Sequence, residues 1–501
     1  MKPSVTGRSH VIEAGSLAAA AVFLVAFARL WVYVLDDTYI SLRYAQHLAE
    51  GQGLVYNSGE RVEGYSNFLW TVFLALPCVL RIPPVPFLKI ALSLAALATA
   101  YFTVRLGRAS GLAPGEARDR WLAWTPGWLF LITPLVIERT ADGLETLPFS
   151  LLLVVAVTWT LEENASRKSA RLGLALAALA MMRPDGVMFA PLLLGVAAAR
   201  GARPGRLART ALFCFVPLAL YAVARHAYYG DWLPNTFYAK RGGSTEWTYG
   251  WRSFRAFLAE TGGWVWLVAV PALVWRKSRG TAWVLLAVVV TRVAFHVWAG
   301  GAWIGRYRFL LPALPMGYVL LCAVLGTLRV RAVRPFALGA SALLLLGPAW
   351  ARYPAVEREA LVYGRGLLAA HGALGRAVLA RTAPEAVIAM DDAGLGPYLA
   401  RRRNVDMLGL NDRHIARLPG RFSYKYDVPY VLSRSPDLVV LVSSVENPRS
   451  AAELPLPGHA ALAMDSVFRA RYEFVRVYTM RADYYLGVFR RRDSRAVPAD
   501  F

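Results

Sequence analysis

The stretch Asp36-Asp37-Thr38-Tyr39-Ile40-Ser41-Leu42-Arg43-Tyr44 opens a polar segment that runs to Val62-Glu63-Gly64-Tyr65-Ser66-Asn67, directly after an apolar run ending at Leu35. Two adjacent carboxylates therefore stand where a membrane helix would leave the bilayer. Charge at that depth is costly and is retained where it has a use. Side by side, the two also repel, so a cation, an Arg or a shared proton has to accompany them. The tame alternative is helix capping. Asp is a good N-cap, and Ile40, Leu42, Ala45, Leu48 and Ala49 follow at helical spacing until Gly51 and Gly53 stop the helix. One Asp is enough for a cap, however, and the rest of the segment is aromatic and glycine-punctuated before the chain turns apolar again at Phe68. The segment reads as a catalytic loop on the outer face of a membrane.

The whole chain supports a membrane setting. Its 501 residues are 56% hydrophobic with 16 Trp, and the mean hydropathy is +0.39, too apolar for an ordinary soluble domain. The net charge of +23 comes almost wholly from Arg, the only lysines being Lys2, Lys89, Lys168, Lys240, Lys277 and Lys425. Much of it sits in short loops between apolar runs, where positive-inside topology and anionic lipid account for it. No nucleic-acid motif is present, so nucleic acid is not an expected partner. Cys78, Cys214 and Cys322 lie inside apolar runs without metal or redox spacing and read as core fillers.

About eleven runs near 15–35, 86–107, 121–138, 147–161, 172–183, 187–199, 210–227, 262–276, 281–298, 308–327 and 335–350 have the composition of membrane spans. Placing the basic loops around Arg105–Arg120, Arg167–Arg171, Arg200–Arg209, Arg276–Arg279 and Arg329–Arg334 inside satisfies the positive-inside rule with the N-terminus inside. The segment 68–82 then must not cross, and as a helix it would reach only about 22 Å. It is expected to lie in the outer leaflet. Arg183-Pro184-Asp185-Gly186 breaks one apolar stretch, and an Arg beside an Asp at that depth needs partners or a wet cavity. The first 353 residues thus form a membrane part that includes an outer loop at 36–85. Residues 354–501, with β-type runs at 386–390, 438–442, 473–478 and 484–489 and a helix-like stretch at 361–379, are expected to form an outer α/β domain.

Four polar constellations fall on the outer side in this topology, and the 183–186 break adds a fifth. They are Asp36-Asp37 with Glu63 to Asn67; Gly143-Leu144-Glu145-Thr146; Tyr228 to Thr236, containing Asn235, with Lys240; and Gly300-Gly301-Ala302-Trp303 with Arg306-Tyr307-Arg308. Singly, each has a structural reading as a turn, a belt aromatic or a headgroup anchor. Together, carboxylates facing Lys and Arg suit a reaction between an acceptor hydroxyl and an anionic lipid.

D-D-T-Y-I-S-L-R-Y, G-x-G-L-V-Y-N and V-E-G-Y-S-N resemble the membrane-embedded GT-C glycosyltransferases, most closely the group that caps mycobacterial arabinan with terminal β-linked arabinofuranose. G-L-E-T, R-P-D-G, Y-Y-G-D-W-L-P-N-T-F-Y-A-K, G-R-Y-R-F-L-L-P-A-L-P, D-D-A-G-L-G-P-Y and D-M-L-G-L-N-D resemble the same group in the same order, over residues 36 to 412. The resemblance implies a mainly α GT-C fold in the bacterial cytoplasmic membrane, a polyprenyl-phosphate-linked sugar donor and a glycan or lipid acceptor. It also implies a catalytic Asp in the first outer loop, at Asp36 or Asp37. Arg183, Lys240, Arg306 and Arg308 are then candidates for the phosphate and Glu63, Glu145 and Asn235 for hydroxyl contacts. Tyr39, Arg43, Tyr65, Asn67, Asp185 and Trp303, from the same motifs, complete the expected substrate side. Where that group commonly has Asp, this chain has Ala302. No cofactor is required by this chemistry, although two adjacent Asp are also a possible Mg²⁺ pair. The rival reading is a transporter or lipid-linked sugar flippase, prompted by the broken helix.

Overall fold

A computed structural model describes residues 6–111, 120–162, 169–241, 246–263, 279–302, 305–328, 330–448 and 450–501. It is mainly helical with one small sheet, as the sequence implies. The chain divides into two compact units.

The first, the membrane unit, comprises the described residues within 1–31, 88–221 and 245–357. His10–Arg29, Pro84–Ala109, Pro204–Tyr229, Gly280–Trp298 and the helix series Arg331–Arg381 are long and apolar enough to cross a bilayer. Arg120–Leu131 and Pro134–Ala141 make a sixth candidate, bent by 50°. Pro134 begins the second piece, where its missing N–H cannot continue the first helix. On Pro204–Tyr229, Leu212, Phe215, Val216, Leu220 and Val223 are all exposed, a surface suited to lipid and not to water. These helices make the chain a multi-pass membrane protein. The expected spans 147–161, 172–183, 187–199 and 308–327 coincide with helices of 10 to 17 residues, shorter than a crossing requires alone. The expected span 262–276 lies largely outside the described residues. The number of crossings is therefore not fixed at eleven. Residues 331–381 number 51, about 76 Å of helix at 1.5 Å per residue, against a hydrocarbon core of ~30 Å. Their C-terminal end extends well beyond any one crossing.

The second, the sheet unit, comprises the described residues within 32–87, 222–244 and 358–501. The loop 36–85, expected with the membrane part, instead packs with the C-terminal residues. Ile40, Tyr44, Tyr56 and Tyr65 share an apolar cluster with Ala393, Leu410 and Ala416. The expected break at 353/354 also falls inside a continuous helix, Arg334–Leu367. A π-helical turn, Leu368–Gly372, then leads into Ala373–Arg381.

The sheet contains β1 (Val387–Met390), β2 (Arg403–Asp406), β3 (Leu438–Ser443), β4 (Tyr472–Arg481) and β5 (Tyr484–Arg491), in the order β2-β1-β3-β5-β4. β2, β1 and β3 run parallel, and β5 and β4 extend the sheet antiparallel. All six residues of β3 are buried, as the continuous run Leu-Val-Val-Leu-Val-Ser demands of a central strand. Four strands fall on the expected runs. β2 is the addition: Arg-Asn-Val-Asp has no apolar signature, and only pairing with β1 makes it a strand. The segment 68–82 forms two short helices, Phe68–Phe73 and Ala75–Val79, with Val72, Phe73, Leu76, Val79, Leu80 and Ile82 exposed.

Candidate functional site

The two opening aspartates sit in the first turn of the helix Asp36–Ala49, yet neither caps it, because Leu35 occupies the N-cap. Asp36 caps a different helix. Its Oδ2 accepts the Gly394 N–H at 2.9 Å and its Oδ1 accepts the Leu395 N–H at 2.8 Å, at the start of the helix Leu395–Ala400. The approach is close enough to require glycine: a Cβ on residue 394 would lie 2.3 Å from Asp36 Cγ. The Asp36 N–H donates to the Tyr363 hydroxyl at 3.1 Å. Asp36 is 9% exposed. Burial, opposed by His371 and reinforced by Asp392, raises its carboxyl from 3.8 to about 6.

Asp392 belongs to the same turn. It meets His371 Nε2 at 2.7 Å and accepts the Tyr484 hydroxyl at 2.6 Å. Burial works against its charge, but His371 and Tyr484 outweigh that and hold it below the ordinary carboxylate value. His371 lies on the π turn Leu368–Gly372.

Asp37 differs. It is half-buried, and among the described residues its carboxylate makes no hydrogen bond or ion pair.

Several expected contacts in the sheet unit are made by the protein itself. Arg43, 4% exposed, donates to the carbonyls of Tyr56, Pro397 and Arg402 at 2.7, 2.5 and 2.6 Å, and lies over the Tyr56 ring. Tyr39 packs against Tyr398, and the Tyr65 hydroxyl meets that of Tyr229 at 3.1 Å. Asn67 bonds with Ser41 and Thr71. Glu63 pairs with Arg225. Asn235 Nδ2 donates to the carbonyls of Gly409, Leu410 and Asp412 at 2.8, 3.0 and 3.2 Å. Lys240 is exposed at the last position of the helix Asn235–Lys240, with Nζ 5.9 Å from the Phe422 ring centre.

The membrane unit gathers a second group. Arg183 Nε lies 3.0 Å from Asp185 Oδ1, and its Nη1 lies 3.5 Å from Glu145 Oε1, at the N-cap of the helix Thr146–Leu161. Asp185 also takes Arg292, whose Nε and Nη2 donate to the Phe309 carbonyl at 3.1 and 2.7 Å. Phe149 lies under both guanidiniums. The 3-10 turn Pro184–Met188 at the helix break is thus bound into an ionic cluster. Sequence reasoning missed Arg292, although a lone Arg inside the apolar run 281–298 is itself the signal.

Arg306 and Arg308 flank Tyr307, which holds φ at 54°, a strained value for a bulky residue. Both arginines are half-buried, and Arg306 makes no ion pair among the described residues. Trp303 lies outside the described residues. Among those residues, no group of three or more His, Cys, Asp or Glu is arranged to hold a metal ion.

Residues 360–495 match the model of a domain of unknown function, DUF8728. Over 356 residues the chain is 26% identical to a terminal β-(1→2)-arabinofuranosyltransferase of Corynebacterium glutamicum, an alignment covering 65% of this chain and 48% of that protein. The chain thus spans about half the length of this curated relative. ArnT from Cupriavidus metallidurans, solved with undecaprenyl phosphate bound, superposes with a TM-score of 0.58 at 16% identity, over 96% of this chain and 99% of that one. The archaeal oligosaccharyltransferase AglB from Archaeoglobus fulgidus, in complex with an inhibitory peptide and a dolichol-phosphate, gives 0.51 at 12% identity, over 84% and 69%.

Proposed function

We propose that this chain, which has the fold of the polytopic GT-C membrane enzymes and arabinofuranosyltransferase relatives, is a glycosyltransferase. It moves a sugar from a polyprenyl-phosphate donor to an acceptor hydroxyl at the outer face of a bacterial cytoplasmic membrane. Arabinofuranose, the sugar named for the relatives, is the first to test.

The observation that carries the mechanism is the contrast between neighbours: the Asp36 carboxylate is held by two backbone N–H groups, whereas Asp37 is unengaged among the described residues. Asp37 is the general base. It takes the acceptor hydroxyl proton as the oxygen bonds to the anomeric carbon and the bond from that carbon to the phosphate oxygen breaks. The electron pair leaves with the polyprenyl phosphate, and the configuration inverts. Asp36 is a positioning residue. A separate proposal concerns the leaving group: Arg306 and Arg308, on a strained turn, supply charge-assisted hydrogen bonds to the phosphate. Arg183 is less suited, because Asp185 and Glu145 already compensate it.

The transporter reading rests on the helix break at 183–186, and ion pairs to Asp185 from both sides favour a braced turn over a gate. Purified chain given radiolabelled polyprenyl-phosphate arabinofuranose decides between them. Transfer to an acceptor, lost in Asp37→Asn, supports the enzyme. Movement of the lipid across a vesicle without chemistry supports the transporter.

A further inference from the structure

The parallel strands of the sheet stand in the order β2-β1-β3, so β1 has β2 on one side and β3 on the other. Where successive connections diverge in this way, the crevice outside the carboxyl ends of the strands is the usual ligand site of an α/β sheet. The segment that leaves β1 at that end is Asp391-Asp392-Ala393-Gly394. In the chemistry above it serves only to clamp Asp36.

Three of its residues are fixed by side chains from elsewhere. Asp391, 5% exposed, takes His459 Nε2 at 2.7 Å. His459 Nδ1 accepts the Val442 N–H at 2.9 Å, so the proton sits on Nε2 and is donated to Asp391. The Ala393 carbonyl accepts the Tyr56 hydroxyl at 2.6 Å, and the Gly394 N–H is held by Asp36. Asp392 is held through one oxygen alone. Its Oδ2 takes both His371 and Tyr484, while Oδ1 makes no hydrogen bond among the described residues and the side chain is 24% exposed.

Each Asp-Asp pair therefore has a buried first carboxylate engaged in structure and a second that is partly open, Asp37 in one and Asp392 in the other. The two pairs meet. Asp37 and Asp392 both act on the Asp36 carboxyl, and the Tyr363 phenol, whose oxygen accepts the Asp36 N–H, lies within electrostatic reach of all three. Carboxylates gathered in this way repel a phosphate. An ionised carboxylate only accepts hydrogen bonds, and a sugar hydroxyl donates them. Positive charge also develops on the transferred ring as its bond to the leaving oxygen breaks, and a nearby carboxylate stabilises it. That charge favours the transferred sugar over the acceptor as the occupant.

We propose that Asp392 Oδ1 accepts a hydrogen bond from a hydroxyl of the transferred sugar. The proposal rests on the transferase reading and adds to it a residue that reads the sugar. The full chain in detergent, without acceptor, is titrated with polyprenyl-phosphate arabinofuranose and with its 2-, 3- and 5-deoxy forms. In the parent, one deoxy form should bind at least about tenfold more weakly than the unmodified donor, the worth of a hydrogen bond to a charged group. In Asp392→Ala that ratio should fall to about one. Asp392→Asn, whose amide oxygen can stay with His371 and Tyr484, preserves the packing where the alanine variant fails to fold, and should narrow the ratio by about threefold or more. A structural role weakens all four donors alike and leaves the ratio at the parental value, which overturns the proposal. Donor forms that bind the parent alike, or not at all, overturn it too, even where a deoxygenated acceptor disaccharide shows a penalty that Asp392→Ala removes. Transfer by the parent with the ratio unchanged in both variants removes the contact and leaves the transferase. A parent whose ratio collapses in the variants but that never transfers to an acceptor removes the transferase and leaves the contact.

Discussion

The membrane unit and the sheet unit treat buried charge in different ways. In the membrane unit carboxylates are answered by guanidiniums: Asp185 holds both Arg183 and Arg292, and Asp142 meets Arg139 at 3.0 Å. In the sheet unit Glu63 takes Arg225, but Asp36 and Asp392 are answered by weaker and more varied partners: backbone N–H groups for Asp36, and His371 and Tyr484 for Asp392. Low-dielectric surroundings leave little choice in the first case, because an uncompensated charge there costs several kcal/mol. Asp37, by contrast, is an unengaged carboxylate of the sheet unit among the described residues.

The largest expected effect tests that distinction directly. Asp37→Asn should lower turnover by roughly 10² to 10⁴, the usual worth of a general base, with donor binding and melting temperature near the parent's. Single-turnover kinetics checks it, and more than about a tenth of parental turnover would return Asp37 to a structural role. Next comes Asp185→Ala, which leaves two buried arginines without their shared carboxylate. It should cost about 3–5 kcal/mol of stability, read as a large drop in melting temperature or failure to express. A small drop would break the comparison at its membrane end.

Arg306→Gln should cost on the order of 2 kcal/mol in donor binding or transition-state stabilisation, with the fold unchanged. Unaltered donor kinetics would make Arg306 a headgroup anchor. Asp36→Asn should instead cost about 1–2 kcal/mol of stability, because an amide presents only one oxygen to the N–H groups of Gly394 and Leu395.

The same carboxyl predicts a pH dependence. Burial raises Asp36 from 3.8 to about 6, so ionising it is harder in the folded chain than in the unfolded one. Its contribution is complete below the unfolded value and is lost as pH rises through the folded one. The amide of the Asp36→Asn variant does not titrate, so the gap in melting temperature between parent and variant should narrow from about pH 4 to about pH 7. A constant gap would mean that Asp36 does not titrate in this window.

The sequence carried the local pattern well. Continuous apolar runs marked β1 and β3, and the helix-like stretch 361–379 lies within the helices Arg334–Leu367 and Ala373–Arg381 and the π turn between them. Asp36 and Asp37 stood out through charge placed beside a span. That Asp36 is engaged was not legible, because its partners are N–H groups 358 and 359 residues away. Asn235 likewise looked like a substrate contact, since nothing local reveals three carbonyls some 175 residues downstream. Periodicity reports which face is buried; it does not say which buried polar group meets which. Arg292 is the exception, an anomaly visible in its own run and passed over.

The clamp of Gly394 and Leu395 on Asp36 has a consequence for biosynthesis. At 5–20 residues per second, a ribosome needs roughly 20 to 70 s to travel the 358 residues from one partner to the other. Throughout that interval the segment 36–67 is outside the ribosome without the partners that fold it, exposing Ile40, Tyr44, Tyr56 and Tyr65. A nascent chain arrested before residue 394 should accordingly leave this loop open to protease, and one extended past the sheet should close it.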